Sequence, residues 1–150
     1  NTLIISPPGA GKTTMLRDIA RQLSYKSYRV SIVDERREIA GMRNGRSSFD
    51  LGFSADVLEG ADKASGMLMM LRSMSPDVII TDEIGKQEDI EAIEKITNSG
   101  ASVIATIHGR NIDMIKRRPD LKQMLKFFEL IITLGKSRGI GTIEEAVTQW

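Results

Sequence analysis

Ser6-Pro7-Pro8-Gly9-Ala10-Gly11-Lys12-Thr13 follows a short apolar run, Leu3-Ile4-Ile5, and opens an amphipathic segment from Met15 to Leu23. Strand, glycine-rich loop and helix in that order are the context a phosphate-binding P-loop requires. Backbone N–H groups must wrap an anionic phosphate without side chains in the way. Gly9 and Gly11 leave that room and accept the unusual dihedrals. The loop ends on a helix N-terminus, where free N–H groups and the positive end of the dipole favour an anion. Lys12 is placed to reach the β- and γ-phosphates, and the Thr13 hydroxyl to ligate Mg²⁺. The nucleotide-binding candidates are therefore Pro8, Gly9, Ala10, Gly11, Lys12, Thr13 and Thr14. Ser6 stands where the G-x-x-x-x-G-K-[ST] pattern has its first glycine. That glycine serves the turn, so the substitution bears on loop shape rather than on phosphate binding.

Working outward, the 150 residues fit one domain with a sizeable core. Hydrophobic residues make up 41% and charged residues 27%, as in a globular protein. A net charge of +1 gives no global reason to expect nucleic acid or an acidic membrane as partner. With no cysteine and one histidine, disulfides, thiolate chemistry and a Cys/His zinc site are excluded. No signal peptide and no apolar run of membrane-spanning length is visible. The chain starts almost directly on its first core strand, which predicts a fragment whose upstream domain is missing.

Strands are predicted at Leu3–Ser6, Arg29–Asp34, Val78–Glu83, Ser102–Ile107 and Phe127–Leu134. A last strand near 140–144 follows the Ser137-Arg138-Gly139 turn as a hairpin. Helices are predicted at 12–24, 61–74 and 86–98, then two short ones at 111–117 and from Pro119. The first helix turns Met15, Leu16, Ile19, Ala20 and Leu23 inward. The second turns in Ala64, Met67, Leu68, Leu71 and Met74, its methionines (Met69 and Met70 included) reading as adaptable core filling. The third carries Ile90, Ile93 and Ile96 inward. Met42–Gly60, broken by Gly45, Gly52 and Gly60, reads as a long loop. Strand and helix alternate at least four times, which predicts an α/β fold with a mostly parallel sheet and helices on both faces. Ligands of such sheets bind beyond the strand C-termini. The P-loop, Asp34-Glu35, Asp82-Glu83 and His108 all fall at that edge.

Val78-Ile79-Ile80-Thr81-Asp82-Glu83 reads as a Walker B strand. Asp82 suits a role beside Mg²⁺, and Glu83 that of the general base orienting the attacking water. Asp34 and Glu35 either hold a Mg²⁺-bound water, polarise the nucleophile, or form a salt-bridged loop with Arg36 and Arg37. Thr106 and His108 end the fourth strand, where a polar group can sense the γ-phosphate. Arg36, Arg37, Arg43, Arg46, Arg110, Arg117 and Arg118 are candidate charge donors, and none stands out. The Lys116-Arg117-Arg118 run is short and poor in neighbouring aromatics, so no nucleic acid is expected.

The strings SPPGAGKTTMLRDIAR, IVDERREIAG, DVLEG-ADKASGMLMMLRSMSPDVIITDEIGKQEDIEAIEKITNSG and IATIHG resemble the stage III sporulation protein AA family over nearly the whole chain. These are ATPases of endospore-forming bacteria related to the traffic ATPases of type II and type IV secretion. The resemblance implies a RecA-like P-loop ATPase core, using ATP and Mg²⁺, that works as a homo-oligomeric, hexameric ring. It implies a role in building or energising the secretion-like channel between mother cell and forespore. Membrane-embedded channel proteins would be its partners, and its place cytoplasmic and peripheral at the membrane. It assigns Lys12 and Thr13 to Walker A, Asp34-Glu35 to the Asp box, Glu83 to Walker B and Thr106-Ile107-His108 to the His box. Two positions depart from the secretion ATPases: Asp82 replaces a glycine, and Gly85-Lys86 stands where an arginine is usual. The base is then Glu83 or Glu35, with Asp82 restoring an ordinary Walker B pair in favour of Glu83. The alternatives are a small monomeric nucleoside triphosphatase, whose family also shows a D-E-I-G-K string, and a nucleotide-binding switch with little turnover.

Overall fold

A computed structural model describes residues 1–148. β1 (Thr2–Ser6) buries Leu3, Ile4 and Ile5 completely, as a strand covered on both faces must. α1 (Lys12–Tyr25) leads to β2 (Val30–Asp34), and then to β3 (Ala55–Glu59). α2 (Lys63–Met74), β4 (Val78–Thr81), α3 (Gln87–Asn98) and β5 (Ser102–His108) follow. Two short helices, α4 (Ile112–Lys116) and α5 (Pro119–Lys122), run into a 3₁₀ turn over Gln123–Phe127. β6 (Leu130–Gly135) and β7 (Thr142–Thr148) close the described chain as an antiparallel hairpin.

The seven strands lie in the order β3-β2-β4-β5-β1-β6-β7, and all the pairings are parallel except β6 with β7. Side-chain alternation splits the core in two. Leu3 and Ile5 face a cluster with α2, α3 and the Leu121–Phe128 region. Ile4 faces the other cluster, made with α1 and with Ile39, Ala40 and Leu51. All five apolar positions predicted for α1 belong to this second cluster or pack against it.

Three expectations are corrected. The segment 42–60 is not all loop. Ala55–Glu59 forms an edge strand parallel to β2, and Gly52 at φ +83° punctuates the approach to it. The strand escapes a periodicity reading because it is short and half-buried, with Asp56 and Glu59 inside it. On α2, Met67 and Met70 are the core methionines, whereas Met69 and Met74 are exposed. The inward face of α2 starts at Lys63, not at an apolar residue. Finally, β4 stops at Thr81, so Asp82 and Glu83 leave the sheet, and Phe127 lies in the 3₁₀ turn ahead of β6.

Candidate active site

β1 lies between β5 and β6, with its C-terminal end opening into the glycine-rich loop. Gly9 (φ +66°) and Gly11 (φ +92°) both take left-handed conformations that a side chain would strain. Met15 N–H donates to Gly11 C=O at 2.9 Å, starting α1. No side chain caps this helix and its first turn holds no acid, so its N–H groups keep their capacity for an outside anion. Ser6 ends β1 fully buried, its hydroxyl donating to Pro7 C=O at 2.8 Å, so the strand passes into the loop without a glycine.

A cavity of about 450 Å³ sits over this loop. Pro8, Gly9, Gly11, Lys12, Thr13 and Thr14 line one side of it, and Arg36, Asp82 and Glu83 another. Of the residues predicted for nucleotide binding, Ala10 alone does not line the cavity, because its methyl group is buried in the core beside α1. A second cavity of about 580 Å³ adjoins the first, and Arg36 and Glu83 line both. Glu35, Lys63 and His108 belong to the second cavity. Sequence reasoning places His108 and Glu35 beside the phosphate site; His108 pairs in register with Ser6 at the start of the P-loop, yet both it and Glu35 line the second cavity rather than the one over the loop.

Asp82 is 5% exposed, and its Oδ1 has no hydrogen-bond partner although Lys63 Nζ lies 3.3 Å away. The ion pair is therefore close without the alignment of a hydrogen bond. Asp82 and Thr13 line the same cavity, and a carboxylate with a threonine hydroxyl is a hard-oxygen donor set that fits Mg²⁺. Among the described residues no group of three or more His, Cys, Asp or Glu forms a metal cage.

Glu83 takes φ +33°, a left-handed conformation costly for a non-glycine residue. Thr106 holds it there. Its hydroxyl accepts Glu83 N–H at 2.9 Å, and its carbonyl accepts Ile84 N–H at 2.9 Å. The Glu83 carboxylate meets the Arg36 guanidinium in an ion pair at the junction of the two cavities. Thr106 is thus occupied in shaping the chain at Glu83.

Asp34 is fully buried and its carboxylate accepts three backbone N–H bonds, from Glu38, Ile39 and Ala40, at 2.8, 3.0 and 2.9 Å. The role considered for Asp34 beside a metal-bound water is corrected, since its oxygens fold the turn after β2. The expected salt-bridged loop also resolves differently. Arg36 goes to Glu83, Arg37 lies 4.0 Å from Glu59, and Arg17 ties the turn to α1 through the carbonyls of Ile39 and Glu38.

Lys63 is the site residue the sequence reading missed. It is 4% exposed, 3.4 Å from Glu35 and 3.3 Å from Asp82, and it donates to Glu83 C=O at 3.0 Å. One signal was available. A lysine in the first turn of a helix opposes the macrodipole, and Lys63 opens α2 directly after its N-cap, Asp62, which accepts Ser65 N–H.

A glycine-rich loop at the C-terminal end of β1, with two acids following β4 on the far side of β5, defines the class: a P-loop fold of the RecA-like, secretion-ATPase kind. Solved structures agree on the fold. The VirB11 ATPase of the Brucella suis type IV secretion system superposes with a TM-score of 0.72 at 15% identity, over 98% of this chain and 47% of that one. The pilus retraction motor PilT, solved with ADP, gives 0.68 at 22% identity, over 99% and 47%. The family described as "Sporulation stage III, protein AA" matches residues 1–149, and the chain belongs to that family. It is 43% identical to the stage III sporulation protein AA of Bacillus subtilis over 97% of its length, and spans half of that relative. Among the described residues no helix is long and apolar enough to cross a membrane.

Proposed function

We propose that the chain is the ATP-hydrolysing core of an oligomeric motor. The observation that carries this is the cavity walled by the P-loop on one side and by Asp82 and Glu83 on the other. In this reading the backbone N–H groups from Gly9 to Thr13 and the Lys12 ammonium hold the triphosphate. Thr13 and Asp82 are the residues that would hold Mg²⁺, which supplies charge neutralisation on the phosphates. Glu83 orients the attacking water and takes its proton, while Lys63 fixes the Asp82 carboxylate and the Glu83 peptide from below. Geometry favours Glu83 over Glu35 as base, because Glu83 borders the P-loop cavity and Glu35 is turned to Lys63. Substituting Glu83→Gln keeps ATP binding and slows hydrolysis by about 10²–10⁴-fold, whereas Glu35→Gln leaves most of the turnover. The opposite ranking would move the base to Glu35.

The family membership and the secretion-ATPase fold support a wider reading. Copies of this chain assemble as a hexameric ring on the cytoplasmic side. There they energise or assemble a secretion-like channel during sporulation, in contact with its membrane-embedded proteins. Residues 1–148 form one core domain of that machine. A ring whose sites are completed between subunits shows a hydrolysis rate per chain that climbs with protein concentration. A monomeric triphosphatase shows a constant one. The ion pair of Glu83 with Arg36 favours a second reading, a nucleotide-binding switch with little turnover, since it occupies the base. Tight ATP binding without phosphate release at any protein concentration supports that switch.

A further inference from the structure

The P-loop explains how phosphates are held and leaves open what meets the rest of a nucleotide. β6 pairs with β1 in parallel, so the turn after β6 leaves the sheet beside the P-loop. That turn, Lys136–Gly141, lies directly on the loop. A Cβ added at Gly11 would stand 3.3 Å from Ile140 Cγ2 and 3.5 Å from the Gly141 backbone. One added at Gly9 would stand 3.3 Å from Lys136 Nζ. The turn is built. Gly139 (φ +120°) and Gly141 (φ +88°) shape it, and Thr142 Oγ1 donates to Gly139 C=O at 2.7 Å. Ser137 gives its N–H and hydroxyl to the two oxygens of Glu144 at 3.0 and 2.8 Å, which holds the Glu144 carboxyl below its ordinary range.

On this turn Ile140 is 74% exposed while lining the 450 Å³ cavity. Among the described residues lining that cavity, the apolar side chains are those of Pro8 and Ile140. A large aliphatic group presented by a fixed turn at the rim of a phosphate site is unexplained by packing within the chain.

We propose that Ile140 is the apolar wall against which the base and ribose of a bound nucleotide pack, with Lys136 adding positive charge at the Gly9 edge of the loop. The assignment rests on the reading of the cavity as a nucleotide site. An isoleucine side chain offers dispersion and area but no hydrogen bond, so it holds adenine and guanine nucleotides alike.

The test is calorimetric titration of the purified protein with ADP, GDP and pyrophosphate, each with Mg²⁺, for the natural chain and for Ile140→Ala. An unchanged unfolding midpoint checks that the exposed turn tolerates the substitution. The expected result is that Ile140→Ala weakens ADP and GDP together by about 5–20-fold and leaves pyrophosphate unchanged. Equal weakening of pyrophosphate, or no change in ADP, would overturn the assignment while leaving the P-loop reading in place. A natural chain that binds neither pyrophosphate nor ADP would overturn the P-loop reading, and this assignment with it.

Discussion

Replacing Lys63 by methionine removes a buried cation that touches both Asp82 and the chain at Glu83, and fills nearly the same volume. At 3.3 Å and an effective dielectric near 20, each ammonium–carboxylate contact is worth about 5 kcal/mol of Coulomb energy. Desolvation of the three groups offsets most of that in the natural chain, so the intact cluster contributes little net stability. Breaking it is different. The Asp82 carboxylate stays buried and has no other partner for Oδ1, the situation for which losses of about 3–5 kcal/mol are typical. The Glu35 side chain is 30% exposed and is partly rescued by water, which places the expected loss near the lower figure, about 3 kcal/mol. For a domain of this size that lowers the unfolding midpoint by roughly 6–12 °C. Differential scanning calorimetry measures it directly. Adding Asp82→Asn to Lys63→Met removes the stranded charge, so the double variant is expected to be at least about 1 kcal/mol more stable than Lys63→Met alone. A Lys63→Met loss below about 1 kcal/mol, or a double variant as unstable as the sum of the two singles, would refute the argument.

Three further outcomes follow from other parts of the structure. Thr106→Val leaves Glu83 N–H without its acceptor and lets the strained peptide relax. Hydrolysis is expected to slow by about 10–100-fold with ADP affinity retained, and Thr106→Ser to restore the rate, as read by steady-state phosphate release. Asp77, clamped by the Arg29 guanidinium and N–H, has its carboxyl held below the ordinary aspartate range. A pKa lower in the folded than in the unfolded chain gives stability that is present above about pH 4 and lost as the pH falls below it. The midpoint gap between the natural chain and Asp77→Asn is therefore expected to shrink from pH 5 to pH 2 in thermal scans. Lys12→Ala, which removes the cation over the P-loop, is expected to abolish ATP binding in an equilibrium binding assay without lowering the unfolding midpoint.

The parts of the fold legible in the sequence are those where local chemistry and long-range structure agree. Leu3-Ile4-Ile5 followed by two glycines and a lysine has a single sensible geometry, and the α1 stripe and the Ile90/Ile93/Ile96 face read directly as core. Asp82 and Glu83 were legible as candidate site acids because they sit just past the end of an apolar strand. What stayed hidden depends on contacts distant in the chain. Ala55–Glu59 is a strand because β2 offers it an edge, not because its own residues demand one. Asp34 looks like a site acid, but three N–H groups from the next six residues consume it. His108 and Glu35 share the sheet edge with the P-loop, yet both line the second cavity, with Glu83 and Arg36 at the border of the two. Lys63 announces itself only through its awkward place at a helix start, and its partners lie 28 residues before it (Glu35) and 19 after it (Asp82).

The measurement that bears most directly on the account is Mg²⁺-dependent release of phosphate from ATP by the natural chain, Lys12→Ala and Glu83→Gln, with ATP binding followed in parallel. The account predicts turnover by the natural chain, neither binding nor turnover by Lys12→Ala, and binding with severely slowed turnover by Glu83→Gln. Turnover by Lys12→Ala equal to that of the natural chain would contradict it, because hydrolysis would then be taking place somewhere other than the P-loop.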